Sequence, residues 1–274
     1  MNAHRRPRPN AIALTASALL GLGVLAGCTS GGGSASPSGA STPAAPAGSA
    51  TPAASAPAMS APRLLSAALA ALRAGGSVHV DMSSVAHGGS VVFSDDATGS
   101  GGRQVITIDG TGHATILLID GVDYVRADAQ ALHAFFEATL PQAERAAGQW
   151  ISLHPGEKLG ASTYDDVTAG ITLASVATEL VVGRPLSKTA PATVAGRPVI
   201  GVQAPLPASD GLPGAKLVLY LTDDSALRPV RYELVGGGST QNTISFSRWG
   251  ERLSLTAPPN AIPASSAMAT TTIV

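Results

Sequence analysis

The sequence predicts an α+β domain in which helices lie on one face of an antiparallel sheet. Three patterns point to that class. A run of helical period stands first, over residues 62–74. Two-residue alternation fills 77–127 and returns over 192–256, and two further helical runs lie between these regions. Strands, then helices, then strands again suit an antiparallel sheet better than a regular βαβ alternation. The expected organisation is a leader over 1–27, a Ser/Ala/Pro/Gly tether over 28–61, one folded domain over 62–262 and a loose tail over 263–274.

The first helix reads "PRLLSAALAALRAGG". Leu65, Ala68, Leu69 and Leu72 share a face widened by Leu64, with Ser60 as candidate cap and Gly75-Gly76 as the stop. Alternation follows. Val78, Val80 and Met82 face one way, and Val91 goes with Phe93 and Ile106 with Ile108. "HATILLIDG" is apolar on both faces, as a central strand would be, and "VDYVRA" continues it. Gly or Asp-rich punctuation, including Asp95-Asp96, is read as closing each run at a hairpin turn. A helix capped by Asp128 then places Leu132, Phe135, Phe136 and Leu140 together until Pro141. After the short link "QWISL", one longer helix is expected over 162–180, where Ser162 and Thr163 precede Asp165 and Asp166 at capping-box spacing. The last part returns to strands: a turn at Ala195-Gly196, then Leu217, Leu219 and Leu221 alternating into a hairpin with Val230, Tyr232 and Leu234. Ile244 and Phe246 come next, and "ERLSLTAPPNAIP" is expected to close the sheet. The total is about nine or ten strands.

The start of the chain carries a different message. Arg5, Arg6 and Arg8 precede an uncharged apolar run, Ala11 to Ala26, which is the layout of a secretory signal peptide. Pro7 after the arginine pair, without the usual apolar partners, ranks twin-arginine export below general secretion. Leu25-Ala26-Gly27-Cys28 resembles the bacterial lipobox and holds the only cysteine of the chain. In proteins with that motif the thiol takes a diacylglycerol, and cleavage leaves the cysteine as the new N-terminus. Two or more acyl chains hold a protein firmly where one does not. The expected location is therefore the outer face of the cell membrane, anchored at Cys28. Residues 28–61 lack the bulky apolar groups that offset ordering entropy.

Composition bounds the function. Cleavage removes three of the 17 basic residues, leaving 14 against 18 acidic ones and a net charge of −4. A mildly acidic chain with scattered charge does not suit nucleic acid. There is no G-x-S-x-G elbow and no H-E-x-x-H. The six histidines are dispersed, and no zinc set surrounds His79 and His87, so no metal, cofactor or catalytic residue is assigned. Asp95-Asp96, Asp165-Asp166 and Asp223-Asp224 fit turns and helix starts better than acid–base pairs. A hydrolase ranks last; it would draw on His113 or His133.

With these parts in order, the chain resembles the actinobacterial lipoproteins of the LppX/LprG type, which share the LolA-like fold. The lipobox and tether, "LLIDGVDYVRAD", "GQWISL" and the closing "LTDDSALRPVRYEL" and "ISFSRWGERLSLTAPPNA" carry the resemblance. It implies a strongly curved half-barrel sheet with helices across its concave face and an apolar cavity that holds lipid acyl chains. The inward rows are almost purely aliphatic, which suits such a ligand and equally suits a solid core. The residues expected to line the interior are Val91, Phe93, Ile106, Ile108, Leu217, Leu219, Leu221, Ile244 and Phe246, with Phe135 and Phe136 from the helices. The expected function is non-catalytic binding or carriage of an acylated lipid or glycolipid at the envelope, with an envelope transporter as a candidate partner. The alternative is a tethered scaffold or binding module for another envelope protein.

Overall fold

The computed structural model describes residues 58–86, 89–180, 182–207 and 212–269. The leader, Cys28, most of the tether and residues 270–274 lie outside them. The described residues begin with α1 (Ala61–Ala74) and then run β1 (Ser77–Ala86), β2 (Gly89–Thr98), β3 (Gly102–Ile108), β4 (Gly112–Ile119) and β5 (Val122–Ala127). Next come α2 (Ala129–Ala134), α3 (Leu140–Ala146), β6 (Trp150–Leu153) and the small ribbon β7 (Lys158–Leu159) and β8 (Ser162–Thr163). Two short helices follow, α4 (Tyr164–Thr168) and α5 (Leu173–Glu179). The chain then returns to strands: β9 (Ser187–Lys188), β10 (Ala192–Val194), β11 (Arg197–Pro205), β12 (Lys216–Thr222), β13 (Pro229–Val235) and β14 (Gln241–Ser247). It closes on β15 (Ile262–Pro263) and α6 (Ala264–Ala267).

Thirteen strands make one open sheet in the order β10-β11-β12-β13-β14-β1-β2-β3-β4-β5-β6-β15, with β9 on β11. Every pairing in it is antiparallel except β15 on β6. Pairing β1 with β14 joins the two strand regions, so the meander that starts the domain and the hairpins that end it share one surface. A twisted sheet of this width curls, and it stays unclosed, a half-barrel with helices on its inner face. The α+β class and the half-barrel are as expected. The tight turns are where the sequence puts them. Asp109-Gly110, Asp120-Gly121 and Ala195-Gly196 all have positive φ at both residues, the condition for a two-residue hairpin.

Several expectations are corrected. The helix expected to end at Pro141 is two helices. Asp128 caps α2, its side chain accepting from Ala131 N–H at 2.8 Å; the chain then turns at Glu137 (φ +56°), and Thr139 caps α3 with Pro141 in its first turn. Pro141 therefore starts a helix, as its fixed φ favours, and Leu140 is 56% exposed instead of joining the buried face. The helix expected over 162–180 also divides. Thr163 and Asp166 do cap α4 reciprocally, but Gly170 (φ +78°) breaks the run and Thr172 with Ser175 caps α5. Asp95 and Asp96 do not close a run at a turn; both lie inside β2. Ser60 sits at the N-cap of α1 without a side-chain capping bond. Residues 251–261 form no strand; they cross from β14 towards the far edge, where only β15 pairs. The tail read as loose from 263 is built in as far as 269: Ala264 and Ala267 are buried, and Gln142 Nε2 donates to Met268 C=O at 2.6 Å.

Candidate functional site

The inner face of the sheet is a grid fixed by register, because directly opposed residues share a face. One row runs across nearly the whole half-barrel: Val202, Leu219, Tyr232, Ile244, Met82, Phe93, Ile106, Ala114 and Ala127. The strand residues expected to line an interior are on this row or adjacent ones on the same face. Phe135 stacks edge-on against Phe93, centroids 5.9 Å apart, and against Phe136 at 5.1 Å, so the helical pair joins them.

The expected lining does not form one group. Leu217, Leu219, Leu221, Ile244 and Phe246 belong to a first apolar cluster with α1 and α5. Ile106, Ile108 and Phe136 belong to a second, with α2, α3, α4 and α6, and Val91, Phe93 and Phe135 pack against its edge. The buried members fill their places: Ile106, Phe136, Leu219 and Leu221 have no exposed surface. An open hollow of about 540 Å³ is lined by residues 113–115, 126–128 and 147–148, and contains none of the expected lining residues.

Between the clusters the inner face turns polar. Asp95 and Gln104 oppose each other in the row Val80–Asp95–Gln104–Ile116–Val125–Ile151, and each is 4% exposed. Gln104 Nε2 donates to Asp95 Oδ2 over a long 3.3 Å; Asp95 Oδ1 is buried with no hydrogen-bond partner among the described residues. Burial pushes the Asp95 carboxyl well above the usual carboxylate range, with Gln104 opposing and the negative charges of Asp81 and Asp96 reinforcing. Asp123, opposite Leu118 on the same face, has no exposed surface. Its Oδ2 accepts from Thr168 Oγ1 at 2.7 Å while its Oδ1 has no hydrogen-bond partner among the described residues. Burial pushes it up to about 6 against that bond.

Over this polar strip runs the α4–Gly170–α5 segment. Val167 and Ile171 pack into the second cluster, whereas Leu173, Val176 and Ala177 pack into the first. The bend between them rests on the Asp95–Gln104 pair: a Cβ on Gly170 would lie 3.4 Å from Gln104 Nε2 and 3.9 Å from Asp95 Oδ2. Gly102 permits the approach from the sheet side, since a Cβ there would stand 2.4 Å from the Ile171 carbonyl. Thr168 to Asp123, Tyr164 Oη to Gly121 C=O at 3.0 Å and a bridge between Thr98 and Thr172 fasten the segment down. The sequence reading missed Asp95, Gln104, Asp123, Thr168 and Gly170. A signal existed: in "VVFSDDAT" the two-residue period keeps Asp95 in phase with Val91 and Phe93.

The outer face carries the charged groups and does not make a catalytic constellation. His79 is largely covered and held between carboxylates: Nδ1 lies 2.7 Å from Asp96 Oδ1 and Nε2 lies 3.2 Å from Asp81 Oδ1. Arg248 Nη2 is 3.1 Å from the same Asp96 oxygen and also contacts His79 Nδ1. With both ring nitrogens facing carboxylates, neither is left to activate a hydroxyl. His113 Nδ1 lies 3.5 Å from Thr107 Oγ1 and His133 Nδ1 2.8 Å from the Ala138 carbonyl, so these two share no partner. Asp166 caps α4, and Asp224 Oδ1 accepts from Thr222 Oγ1 and Ala226 N–H, which is turn chemistry as expected. Trp249 packs on Phe246 and under Arg228. Among the described residues no group of His, Cys, Asp and Glu could hold a metal ion, and no helix is long and apolar enough to cross a membrane.

No protein-family model matches the chain. No curated protein matches it. Among solved structures it is similar to the lipoprotein LppX of Mycobacterium tuberculosis, at 14% identity and a TM-score of 0.45, over 71% of this chain and 99% of that one. It is similar to LprF from Mycobacterium bovis at 14% identity and 0.45, over 75% and 99%. A DUF1329 family protein from Desulfovibrio piger follows at 10% identity and 0.27, over 71% and 95%. The solved structures that this chain is similar to thus include two lipoproteins of the LppX/LprG type, the group that its sequence resembles.

Proposed function

We propose that this chain is an exported lipoprotein, acylated at Cys28 and held on the outer face of the cell membrane, that binds the acyl chains of a lipid or glycolipid without catalysis. The observation that carries the reading is the inner face itself. Two aliphatic clusters lie side by side on one continuous register row, and what bridges them is a cover of two helices of five and seven residues, jointed at Gly170. Helices that short have little stability of their own and depend on the surface beneath. Acyl chains replacing the cover on that face would bury apolar surface worth roughly 25 cal/mol per Å². The tether would let the domain reach from the bilayer. An envelope transporter that gives or takes the ligand completes the reading.

The full burial of Ile106, Phe136, Leu219 and Leu221 favours a second reading, a filled scaffold that docks another envelope protein. Non-covalent lipid extraction from the purified full chain, followed by mass spectrometry, separates the two; such extraction leaves a thioether-linked anchor on the protein. A co-purifying acylated species in stoichiometric amount is the expected result. Repeated extraction with no such species, together with a protein crosslinked to the domain in intact cells, overturns the lipid reading in favour of the scaffold.

A further inference from the structure

The Asp95–Gln104 pair is out of place for a face that only packs hydrocarbon. A buried carboxyl with an unpartnered oxygen costs more than any neutral side chain of its size. Here the cost is incurred on the inner face where first-cluster and second-cluster residues adjoin, under the bend of the cover. Local folding does not require it. Asp95 lies mid-strand, where Asp is disfavoured, it caps no helix, and among the described residues Gln104 is its only hydrogen-bond partner, at the long limit of 3.3 Å. Asp123 differs in this respect, since Thr168 gives it a good bond and so explains it as a fastening for α4.

We propose that Asp95 and Gln104 form a polar subsite of the inner face that holds the hydroxyl group of an otherwise apolar ligand, whose hydrocarbon extends to both sides of that hydroxyl. This rests on the lipid-binding reading above and adds the chemistry of the ligand. A hydroxyl both donates and accepts, so it satisfies Asp95 Oδ1 whether the carboxyl is ionised or protonated. An ammonium would need a fully ionised partner in an apolar setting, where desolvating two charges offsets much of their attraction. The placement sets the rest. Phe93 and Ile106 stand one row away towards the second cluster, Val80 stands beside Asp95 in the first, and both directions along the sheet are apolar. The hydroxyl is therefore within the chain or at a branch, and not at one end. The Gly170-Ile171 stretch lies over this position, and Oδ1 is buried there without receiving a hydrogen bond from the described residues.

The test compares two probes on the full chain carrying C28S, which keeps it free of its own acyl groups: octadecanoate and 12-hydroxyoctadecanoate, with dissociation constants from competition against radiolabelled octadecanoate. The expected result is a preference of at least about tenfold for the hydroxylated probe, as one hydrogen bond to a buried carboxyl supplies. In Asp95→Val the preference falls to about one or inverts, while octadecanoate binds as well or better. Should D95V not fold, Asp95→Leu, which likewise removes both oxygens, takes its place with the same expected loss of preference. Octadecanoate binding without preference in the unmodified pair, or a preference that survives in whichever Asp95 variant folds, overturns the subsite alone. Binding of neither probe overturns the lipid reading and the subsite with it.

Discussion

Asp123 is the residue whose behaviour in solution is easiest to foresee. Its ordinary pKa of 3.8 is raised to about 6 by burial, so the folded state holds its proton more tightly than the unfolded chain does. A raised carboxyl stabilises the fold while protonated. That contribution is complete below pH 3.8, declines as pH rises through the folded value near 6, and is gone above it. Domain stability should thus fall between about pH 4 and 7 by an amount on the order of 2–3 kcal/mol from this group. Asp123→Asn, which still accepts from Thr168, should flatten that window in urea melts taken along a pH series; an unchanged slope would count against the assignment. Asp95→Leu is expected to raise the urea midpoint, by roughly 1–3 kcal/mol of stability, because it removes a buried carboxyl with one free oxygen. A loss of stability there would show that the pair is structural. Gly102→Ala drives a methyl to 2.4 Å from the Ile171 carbonyl. We expect a cost of about 1–3 kcal/mol, with faster hydrogen exchange confined to residues 164–180.

At the scale of elements, the cover depends on caps. Thr172 accepts from Ser175 N–H at 3.1 Å, Ser175 Oγ accepts from Thr172 N–H at 2.9 Å, and α5 has no other N-terminal device. Thr172→Ala should cost about 1 kcal/mol. Hydrogen exchange should show the loss in α5 and leave β11–β14 protected; uniform loss across the domain would mean that the cover does not open by itself. The element boundaries also show what alternation and helical period can and cannot tell. Hairpins at Asp109-Gly110, Asp120-Gly121 and Ala195-Gly196 were legible because the turn chemistry is local. The divided helices were legible only in part. Thr139 and Thr172 are caps in mid-run, and each was outweighed by the apolar period running through it. Asp95-Asp96 was misread because two adjacent acids are usual at turns, and the strand that overrides that preference is held by β1 on one side and β3 on the other.

Across the whole molecule, pairing β1 with β14 sets the inner face. It brings Ile244 and Phe246 beside Met82 and Val80 and so continues the surface begun by Phe93 and Ile106. If the clusters are filled cores, Leu219→Ala costs about 2–5 kcal/mol and the cost does not change on adding octadecanoate. If acyl chains enter, added octadecanoate stabilises the domain by mass action, and the truncated variant is stabilised by a different amount from the unmodified protein. Thermal melts with and without the probe decide it. The sequence by itself determined the α+β class and which strand residues share a face, since each of these is a matter of period along a few residues; the lipobox reading at Cys28 and the tether fall on residues outside the described ones. Tertiary structure alone decided that the inward residues form two clusters, that α4 and α5 lie across them and that a polar pair sits at the seam. Those facts depend on which strands become neighbours, and β1 meets β14 across more than 150 residues of chain, a distance over which no local period carries information.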